Sequence, residues 1–272
     1  MKNIALGQYY PSGSVMHRLD ARMKLILAML YIVCTFLCKN VLAFAALAVS
    51  APLLVLISNI PLRTVLRAIR PILFIMCFTA ILNLFFTKGE TPLWGVWRIQ
   101  IYVEGVYSAV FMLLRIVVLI LGTSVFLTYT TTPISLTDAI ESLFKPLSLI
   151  KLPVHEFAMM MTIALRFIPL LSEEAAKIMN AQKARGVDFS EGSLIRRAKA
   201  LVPILIPLFV SAFRRAEELA TAMECRCYRG GKGRTKMTVP HLHVRDFIAL
   251  FLMIGFGAGI LYLNYLKIGY TM

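Results

Sequence analysis

The chain has 272 residues, of which 59% are hydrophobic and 16% are charged, and its formal net charge is +15. Soluble domains are roughly 45–50% apolar and about 25% charged, so this composition excludes an ordinary water-soluble globular protein. The 29 Lys and Arg residues outnumber the 14 Asp and Glu residues, which is compatible with nucleic acid, anionic lipid or an acidic protein as a partner.

The N-terminal segment contains polar and basic residues before any long apolar run. It lacks the apolar core and the small-residue cleavage site of a signal peptide. We therefore expect the first apolar helix to be retained in the protein.

Five apolar stretches follow, and we expect each to form a membrane-spanning helix. The first is shorter than the about 20 residues that a span needs, but Lys24 and Lys39 flank it and can extend their charged ends to the interface. In the last stretch, Gly255, Gly257 and Gly259 permit close helix packing. The stretches are residues 25–38, 41–58, 72–86, 106–130 and 247–266.

The distribution of positive charge predicts the orientation of these helices. Arg63, Arg67 and Arg70 lie between the second and third stretches, whereas the charges of residues 87–105 are balanced. Cytoplasmic loops are enriched in Lys and Arg, so we expect a cytoplasmic N-terminus and an external C-terminus. The membrane that we expect to contain the chain is the plasma membrane. The predicted fold is an all-α polytopic membrane protein with about five transmembrane helices and a cytoplasmic helical region.

Arg115 is a charge inside the fourth apolar stretch. An arginine at the centre of a membrane costs on the order of 2.5–3.5 kcal/mol on insertion scales, so it normally faces protein or water. Two interpretations stay open: a structural arginine that pairs with a carboxylate or main-chain carbonyls, and a contact with another membrane subunit.

Residues 133–245 form the predicted cytoplasmic and interfacial region between the membrane segments 1–132 and 246–272. Several prolines, from Pro133 to Pro169, predict short helices in place of one long helix. The Met-rich apolar face of residues 154–168 is typical of a helix at the membrane boundary or packed beneath the membrane helices.

Two further helices are expected after these prolines. Ser172 is the predicted N-cap of the first. The second is predicted over about residues 208–227, after Pro203 and Pro207. The apolar run 201–213 is expected to pack beneath the membrane helices.

Each of these two helices ends with an arginine. The first end reads Ala184-Arg185-Gly186, in which the glycine favours a helix C-terminus. The second reads Cys225-Arg226-Cys227, where we expect the helix stop to rest on Gly230-Gly231. Such arginines either bond the last carbonyls of their own helix or offer a fork of donors to a partner's carboxylates. Two tips side by side would fit two acidic grooves.

With these motifs, the chain resembles the transmembrane (T) component of energy-coupling-factor (ECF) vitamin and metal transporters, of the CbiQ/EcfT type. Family members carry a Tyr/Pro/Ser, His and Leu-Asp-Pro-Arg-x-Lys pattern near the N-terminus, and Ala-Arg-Gly-type motifs at the ends of two coupling helices. Here the first pattern reads Gly7-Gln8-Tyr9-Tyr10-Pro11-Ser12 and then His17-Arg18-Leu19-Asp20-Ala21-Arg22-Met23-Lys24, with Ala21 in place of proline. The second coupling motif departs from the family because cysteines flank its arginine.

The resemblance implies a subunit that joins a substrate-binding membrane subunit, the S component, to two cytoplasmic ABC-type ATPases. ATP-driven closure of the ATPases would draw the coupling helices together, and a vitamin or a metal ion would be taken up. ATP and Mg²⁺ would be used by the ATPases, while this chain would bind no cofactor and catalyse no reaction. The residues that would bind the ATPases are Ala184, Arg185, Gly186, Cys225, Arg226 and Cys227, and Arg115 is a candidate contact for the S component.

The sequence also weighs against several other functions. A secondary transporter or channel remains the alternative, but it should carry acidic groups or inverted repeats within its spans, and the five stretches contain no Asp or Glu. An intramembrane enzyme would need a convergent catalytic set, which is not evident. His155-Glu156 lacks the second histidine of a zinc protease, and Cys225-x-Cys227 has the wrong spacing for zinc. The basic run 226–236 favours lipid headgroups over nucleic acid because membrane-linked segments surround it.

Overall fold

The computed structural model describes residues 9–86, 92–96, 99–150, 152–189, 193–231 and 241–266. Within these ranges the protein is built mainly of α-helices, which confirms the predicted all-α class. In chain order the helices are α1 Ala21–Leu37, α2 Val41–Ile57, α3 Leu62–Ile69, α4 Leu73–Phe86, α5 Val103–Thr123, α6 Pro133–Phe144, α7 Val154–Ala184, α8 Leu194–Cys225 and α9 Val244–Tyr265.

Four short elements complete the described part of the chain. The strands β1 Pro92–Val96 and β2 Ile99–Tyr102 form an antiparallel hairpin in the loop between α4 and α5. A π-helical turn, Ser124–Tyr129, continues α5, and the 3-10 turn Lys145–Ile150 follows α6.

The helices group into two compact units. We call the described residues of Gly7–Ala139 and Val239–Met272 the membrane unit, and those of Ile140–Thr238 the hairpin unit. The boundary between the units falls within α6.

Several helices have the composition of membrane spans. Among the described residues, three are long and apolar enough to cross a membrane: Val103–Tyr129, Val154–Ala184 and Val244–Tyr265. Val41–Ile57 and Leu73–Phe86 are apolar but shorter. The protein is therefore a polytopic membrane protein.

Helix α1 packs against α5 and α9 in the membrane unit, and α2 packs against the same two helices. The buried core includes Tyr31 from α1, Leu47 from α2, Val118 from α5 and Ile260 from α9. The ring of Tyr31 lies directly on Gly122 of α5, where an added β-carbon would be 2.0 Å from Tyr31 Cε1. The missing side chain at position 122 therefore makes room for this ring.

The glycines of α9 differ in their surroundings. A β-carbon at Gly257 would lie 3.1 Å from Cys34 Sγ of α1, so this glycine stands at a close helix approach. Gly255 and Gly259 face open space within 4 Å. The prediction that these glycines permit close packing thus holds at Gly257 and is wrong for the other two within this chain.

A buried carboxylate joins the beginnings of α1 and α9. Asp246 is 1% exposed. Its Oδ1 accepts a hydrogen bond of 2.9 Å from the backbone N–H of Asp20, the N-cap of α1, and its Oδ2 accepts one of 2.8 Å from the backbone N–H of His243, the N-cap of α9. One side chain thus satisfies main-chain donors at two helix N-termini, where the helix dipole also favours negative charge.

Lys24 lies at the same end of the membrane unit. We expected its ammonium group to reach the membrane interface, but the side chain is 3% exposed. Its Nζ donates to the carbonyl oxygen of Thr130 at 2.7 Å and to that of His17 at 3.2 Å. Those two main-chain acceptors compensate for the burial of the charge.

The opposite end of α1 is held by Asn264 of α9. Its Oδ1 accepts hydrogen bonds of 3.2 Å from the backbone N–H groups of Lys39 and Asn40, and its Nδ2 donates to the carbonyl oxygen of Leu37 at 2.8 Å. Asn264 lies 18 residues after Asp246, or about 27 Å along α9. Since the beginning of α9 contacts the beginning of α1, and its end contacts the end of α1, the two helices run parallel.

In the hairpin unit, two predicted helix breaks are wrong. Helix α7 runs without interruption through Pro169, so Ser172 lies inside the helix and is not an N-cap. The Ser172 hydroxyl donates to the carbonyl oxygen of Pro169 at 2.7 Å. Helix α8 likewise begins at Leu194 and continues through Pro203 and Pro207, and includes the whole run 201–213.

A proline inside a helix removes the hydrogen bond of its own N–H, and its ring crowds a carbonyl of the preceding turn. The remaining ladder of a 31-residue or 32-residue helix stays intact on both sides. Local propensity therefore yields to the packing of α7 against α8.

Candidate functional site

The first arginine motif lies at the end of α7. Arg185 is the C-cap, and Gly186 follows it with a φ of +87°. The backbone N–H of Gly186 donates to the carbonyl oxygen of Lys183 at 2.9 Å, and that of Val187 donates to Gln182 at 3.1 Å. This is the Schellman pattern, in which a left-handed residue turns the chain and satisfies the last carbonyls of the helix.

The second motif, at the end of α8, has the same geometry. Arg226 is the C-cap, and Cys227 follows with a φ of +56°. The backbone N–H of Cys227 donates to the carbonyl oxygen of Glu224 at 2.8 Å, and that of Tyr228 donates to Met223 at 3.0 Å. The expectation that the helix stop rests on Gly230-Gly231 is therefore wrong, because the left-handed residue of the stop is a cysteine.

All six residues of the two motifs are exposed. Within the described part of the chain, the guanidinium groups of Arg185 and Arg226 make no hydrogen bond or ion pair. The backbone already bonds the terminal carbonyls that an ordinary capping arginine would take. Both arginine forks are therefore open to a partner.

Glu174 connects the two long helices. Its Oε1 accepts a hydrogen bond from Ser211 Oγ at 2.7 Å, and its Oε2 accepts one from Arg215 Nη2 at 2.9 Å. Beside this contact, α7 and α8 enclose an apolar groove of about 270 Å³ whose lining includes Ile163, Phe167, Leu219 and Met223. Residues that precede Glu174 on α7 thus face residues that follow Ser211 on α8, so the helices are antiparallel.

This arrangement separates the two arginine motifs. Arg185 lies 11 residues beyond Glu174, and Arg226 lies 11 residues beyond Arg215. At about 1.5 Å per residue, each tip is about 16 Å from the shared contact, and the two point in opposite directions. The expectation that the tips lie side by side is wrong, since a short connection between two long helices forces them to run antiparallel.

The sequence is similar to those of known proteins. Residues 12–237 match the family model of CbiQ, described as cobalt transport protein. The chain belongs to the CbiQ family. The matched range includes both arginine motifs and all of the helices from α1 to α8.

Relatives of this CbiQ-family chain share its sequence over most of their length. A protein of Clostridium kluyveri is 50% identical over 250 residues, which cover 92% of each chain. A protein of Ruminiclostridium cellulolyticum is 52% identical over 237 residues, or 87% of this chain and 88% of the relative. A protein of Bacillus subtilis is 48% identical over 236 residues, or 87% and 89%. Each is an energy-coupling factor transporter transmembrane protein EcfT.

The segment after the second arginine motif returns to the beginning of α7 in this CbiQ-family chain. The backbone N–H of Gly231 donates to Glu156 Oε1 at 3.2 Å. His155 Nδ1 lies 3.0 Å from Glu141 Oε1, and a β-carbon at Gly231 would come within 2.6 Å of the His155 ring. Gly230-Gly231 therefore anchors the segment to α7, which is a different role from the predicted helix stop.

Arg115 belongs to the membrane unit, and its contact answers one question that the sequence left open. Its Nη2 donates to the carbonyl oxygen of Cys38 at 3.0 Å, in the turn between α1 and α2. The structure thus supports the interpretation in which Arg115 bonds a main-chain carbonyl. A contact with an S component stays a prediction.

Some predicted features fall outside the described residues. Gly7 and Gln8 of the N-terminal pattern, and Lys232, Arg234 and Lys236 of the basic run, are among them. Within the described part, no group of three or more His, Cys, Asp or Glu side chains has an arrangement that could hold a metal ion.

Proposed function

We propose that this chain is the transmembrane energy-coupling subunit of an ECF-type importer. The observation that carries the proposal is the pair of matching helix ends, each of which presents an exposed arginine without a partner in the described chain. The names of the EcfT relatives support the same assignment. In this role the chain transmits motion and performs no catalytic step.

Each arginine motif binds one of two ABC-type ATPase subunits in the cytoplasm. Arg185 and Arg226 offer planar forks of donors that match carboxylates in a bidentate way. The residues beside them, Ala184 and Gly186 on one end and Cys225 and Cys227 on the other, are small. Small neighbours let a helix tip enter a groove without steric conflict.

The antiparallel hairpin supports a lever mechanism. ATP binding closes the two ATPases, and each ATPase moves the tip bound to it. Because Glu174 bonds both Ser211 and Arg215, movement of either tip is transmitted to the other helix near the middle of the hairpin. The hairpin then moves the substrate-binding S component in the membrane.

The sequence agrees with this division of labour. This chain contains no G-x-x-x-x-G-K-[ST] phosphate loop, so ATP and Mg²⁺ are used by the partner ATPases. This chain itself binds no cofactor. The S component selects the cargo, which is a vitamin or a metal ion.

The parallel arrangement of α1 and α9 supports the proposed orientation. The end of the membrane unit where both helices begin carries Arg18, Arg22 and Arg245, while Lys39 lies at the other end. An excess of positive charge marks the cytoplasmic side. The N-terminus is then cytoplasmic, and α9 crosses the plasma membrane outward.

Asp246 bears on the alternative, a self-contained secondary transporter. It is a buried carboxylate at the beginning of α9, where a coupling ion could bind. Both of its oxygens, however, accept hydrogen bonds from backbone N–H groups. A carboxylate engaged in this way is a poor site for reversible ion binding, so the energy-coupling function is favoured.

The test is co-purification with the ATPases. The chain is co-expressed with the two ATPase subunits and the S component, and Arg185→Ala is combined with Arg226→Ala. We expect the double variant to insert in the membrane and to lose the ATPases during purification in detergent. The single variants should each lose part of the binding, because the tips engage separate subunits.

A matched control removes the same charge from the middle of the hairpin. Lys177 and Arg214 are exposed on α7 and α8, and the variant Lys177→Ala with Arg214→Ala should keep the ATPases. If the tip variant retains the ATPases and drives uptake at the wild-type rate, the arginines have no part in coupling. Loss of binding in the control would show that overall charge is responsible.

A further inference from the structure

Helix α3 is a short basic helix between two apolar helices. It has eight residues, Leu62–Ile69, and connects α2, which ends at Ile57, to α4, which begins at Leu73. Since both neighbours have the composition of membrane helices, α3 lies at the level where the membrane meets water. From Asp20 to Glu90 the sequence contains no other acidic residue.

One face of α3 is fixed to the membrane unit. Val65 is 3% exposed and packs with Val55, Val125 and Tyr129. Tyr129 Oη also donates to the carbonyl oxygen of Thr64 at 3.3 Å. These contacts determine which face of the helix is turned away from the protein.

That outward face carries three arginines. Arg63 and Arg67 each stand two residues from Val65, about 200° around the helix, and Arg70 follows at the end of the helix. All three are exposed, and within the described residues none makes an ion pair or hydrogen bond through its side chain. They extend over about 10 Å along the helix axis.

The arginines are not explained by the helix itself. A cation near a helix C-terminus is favoured by the dipole, but Arg63 lies in the first turn, where a positive charge is disfavoured. Leu66 beside them is 64% exposed, and Phe74, just after the helix, is 79% exposed. Basic side chains next to exposed apolar ones are typical of a helix that contacts phosphate headgroups and acyl chains together.

We propose that Arg63, Arg67 and Arg70 of α3 form a binding site for anionic phospholipid headgroups. The guanidinium forks bind the phosphates, and Leu66 and Phe74 contact the acyl chains. The site is separate from the ATPase-binding tips, and it holds the end of the membrane unit at a fixed depth.

The test uses the full-length chain in detergent with phosphatidylglycerol and phosphatidylcholine in equal amounts. Native mass spectrometry measures the ratio of the two lipids that stay bound. We expect Arg63→Gln, Arg67→Gln and Arg70→Gln each to lower the preference for phosphatidylglycerol roughly fivefold. The preference should fall with rising salt, and an equal concentration of inorganic phosphate should not displace the lipid.

Two controls make the result specific. Replacement of Arg63, Arg67 and Arg70 by lysine keeps the charge and should keep most of the preference, which also shows that the chain is folded. The single substitutions Arg196→Gln, Arg197→Gln and Lys199→Gln, at exposed positions at the beginning of α8, each remove one charge in the same way and should leave the preference unchanged. An unchanged lipid ratio in the α3 variants would overturn the proposal, as would an equal loss in the α8 control. Loss of the ATPases by the same α3 variants in co-purification, with an unchanged lipid ratio, would also overturn the proposal, because this face would then bind protein.

Discussion

The carboxylate of Glu174 and the guanidinium of Arg215 form an ion pair of 2.9 Å, and each residue precedes the arginine at its own helix end by 11 positions. The contact therefore divides the antiparallel hairpin into two arms of equal length. Ser211 adds a second hydrogen bond to the same carboxylate at 2.7 Å. Substitutions at this contact can therefore test how motion passes between the two helices, separately from substitutions at the tips.

Glu174→Ala should uncouple ATP hydrolysis from uptake. Without the carboxylate, α7 and α8 lose their polar connection, so movement of one tip reaches the other helix only through apolar contacts. We expect lower uptake per ATP hydrolysed in proteoliposomes, with the ATPases still bound. Glu173→Ala is the control, because Glu173 is exposed and makes no ion pair in the described chain. Equal effects of the two substitutions would argue against this transmission.

Cys227→Gly should stabilise the end of α8. A residue with a side chain costs roughly 1–2 kcal/mol in the left-handed conformation, and glycine adopts it freely, so we expect a gain of about 1 kcal/mol. Gly186→Ala should cost a similar amount at the end of α7, where φ is +87°. Thermal unfolding in detergent measures both changes.

A second cysteine provides the matched control for that measurement. Cys225 is the last residue of α8, so Cys225→Gly removes the same thiol at a helical position. It should destabilise the protein slightly, since glycine has a lower helix propensity than cysteine. A stabilising effect at both cysteines would mean that loss of the thiol, and not backbone conformation, is the cause.

Asp246→Asn should strongly destabilise the membrane unit. The amide has the same size as the carboxylate, but one of its two polar atoms is an NH₂ donor. That donor would face one of the two backbone N–H groups that now donate to the carboxylate. Hydrogen bonds to charged groups contribute about 1.5–3 kcal/mol, and a buried N–H without an acceptor adds a penalty. The change in midpoint of thermal unfolding measures the loss, and Glu217→Gln at an exposed site of α8 is the control. A wild-type midpoint for Asp246→Asn would show that the N-terminal caps contribute little.

Gly122→Ala should force α1 and α5 apart. The new methyl group would stand 2.0 Å from Tyr31 Cε1, and Tyr31 is 1% exposed, so the ring has no free space to enter. Overpacking of this kind typically costs about 1–3 kcal/mol. Combination with Tyr31→Leu should recover part of that loss, and a double-mutant cycle measures the recovery. Additive effects of the two substitutions would contradict the close contact.

The sequence by itself determined the elements whose signals are local. Hydropathy placed the apolar stretches 41–58 and 72–86 within one residue of α2 and α4, because an apolar run and the polar residues beside it are read position by position. The end of α7 was predicted for the same reason, since Gly186 supplies the left-handed turn that a helix stop needs. The family resemblance also rested on contiguous motifs.

Only the tertiary structure decided the features that depend on residues far apart in the chain. Both α7 and α8 continue through prolines at which local propensity predicted a helix end, because the two helices pack against each other. The same antiparallel packing places Arg185 and Arg226 at opposite ends of the hairpin. A cysteine can adopt many backbone conformations, so the sequence did not predict the left-handed one at position 227. The hydrogen bonds at the end of the helix select it. Asp20 and Asp246 are 226 residues apart, and their contact exists because burial leaves main-chain donors that require an acceptor.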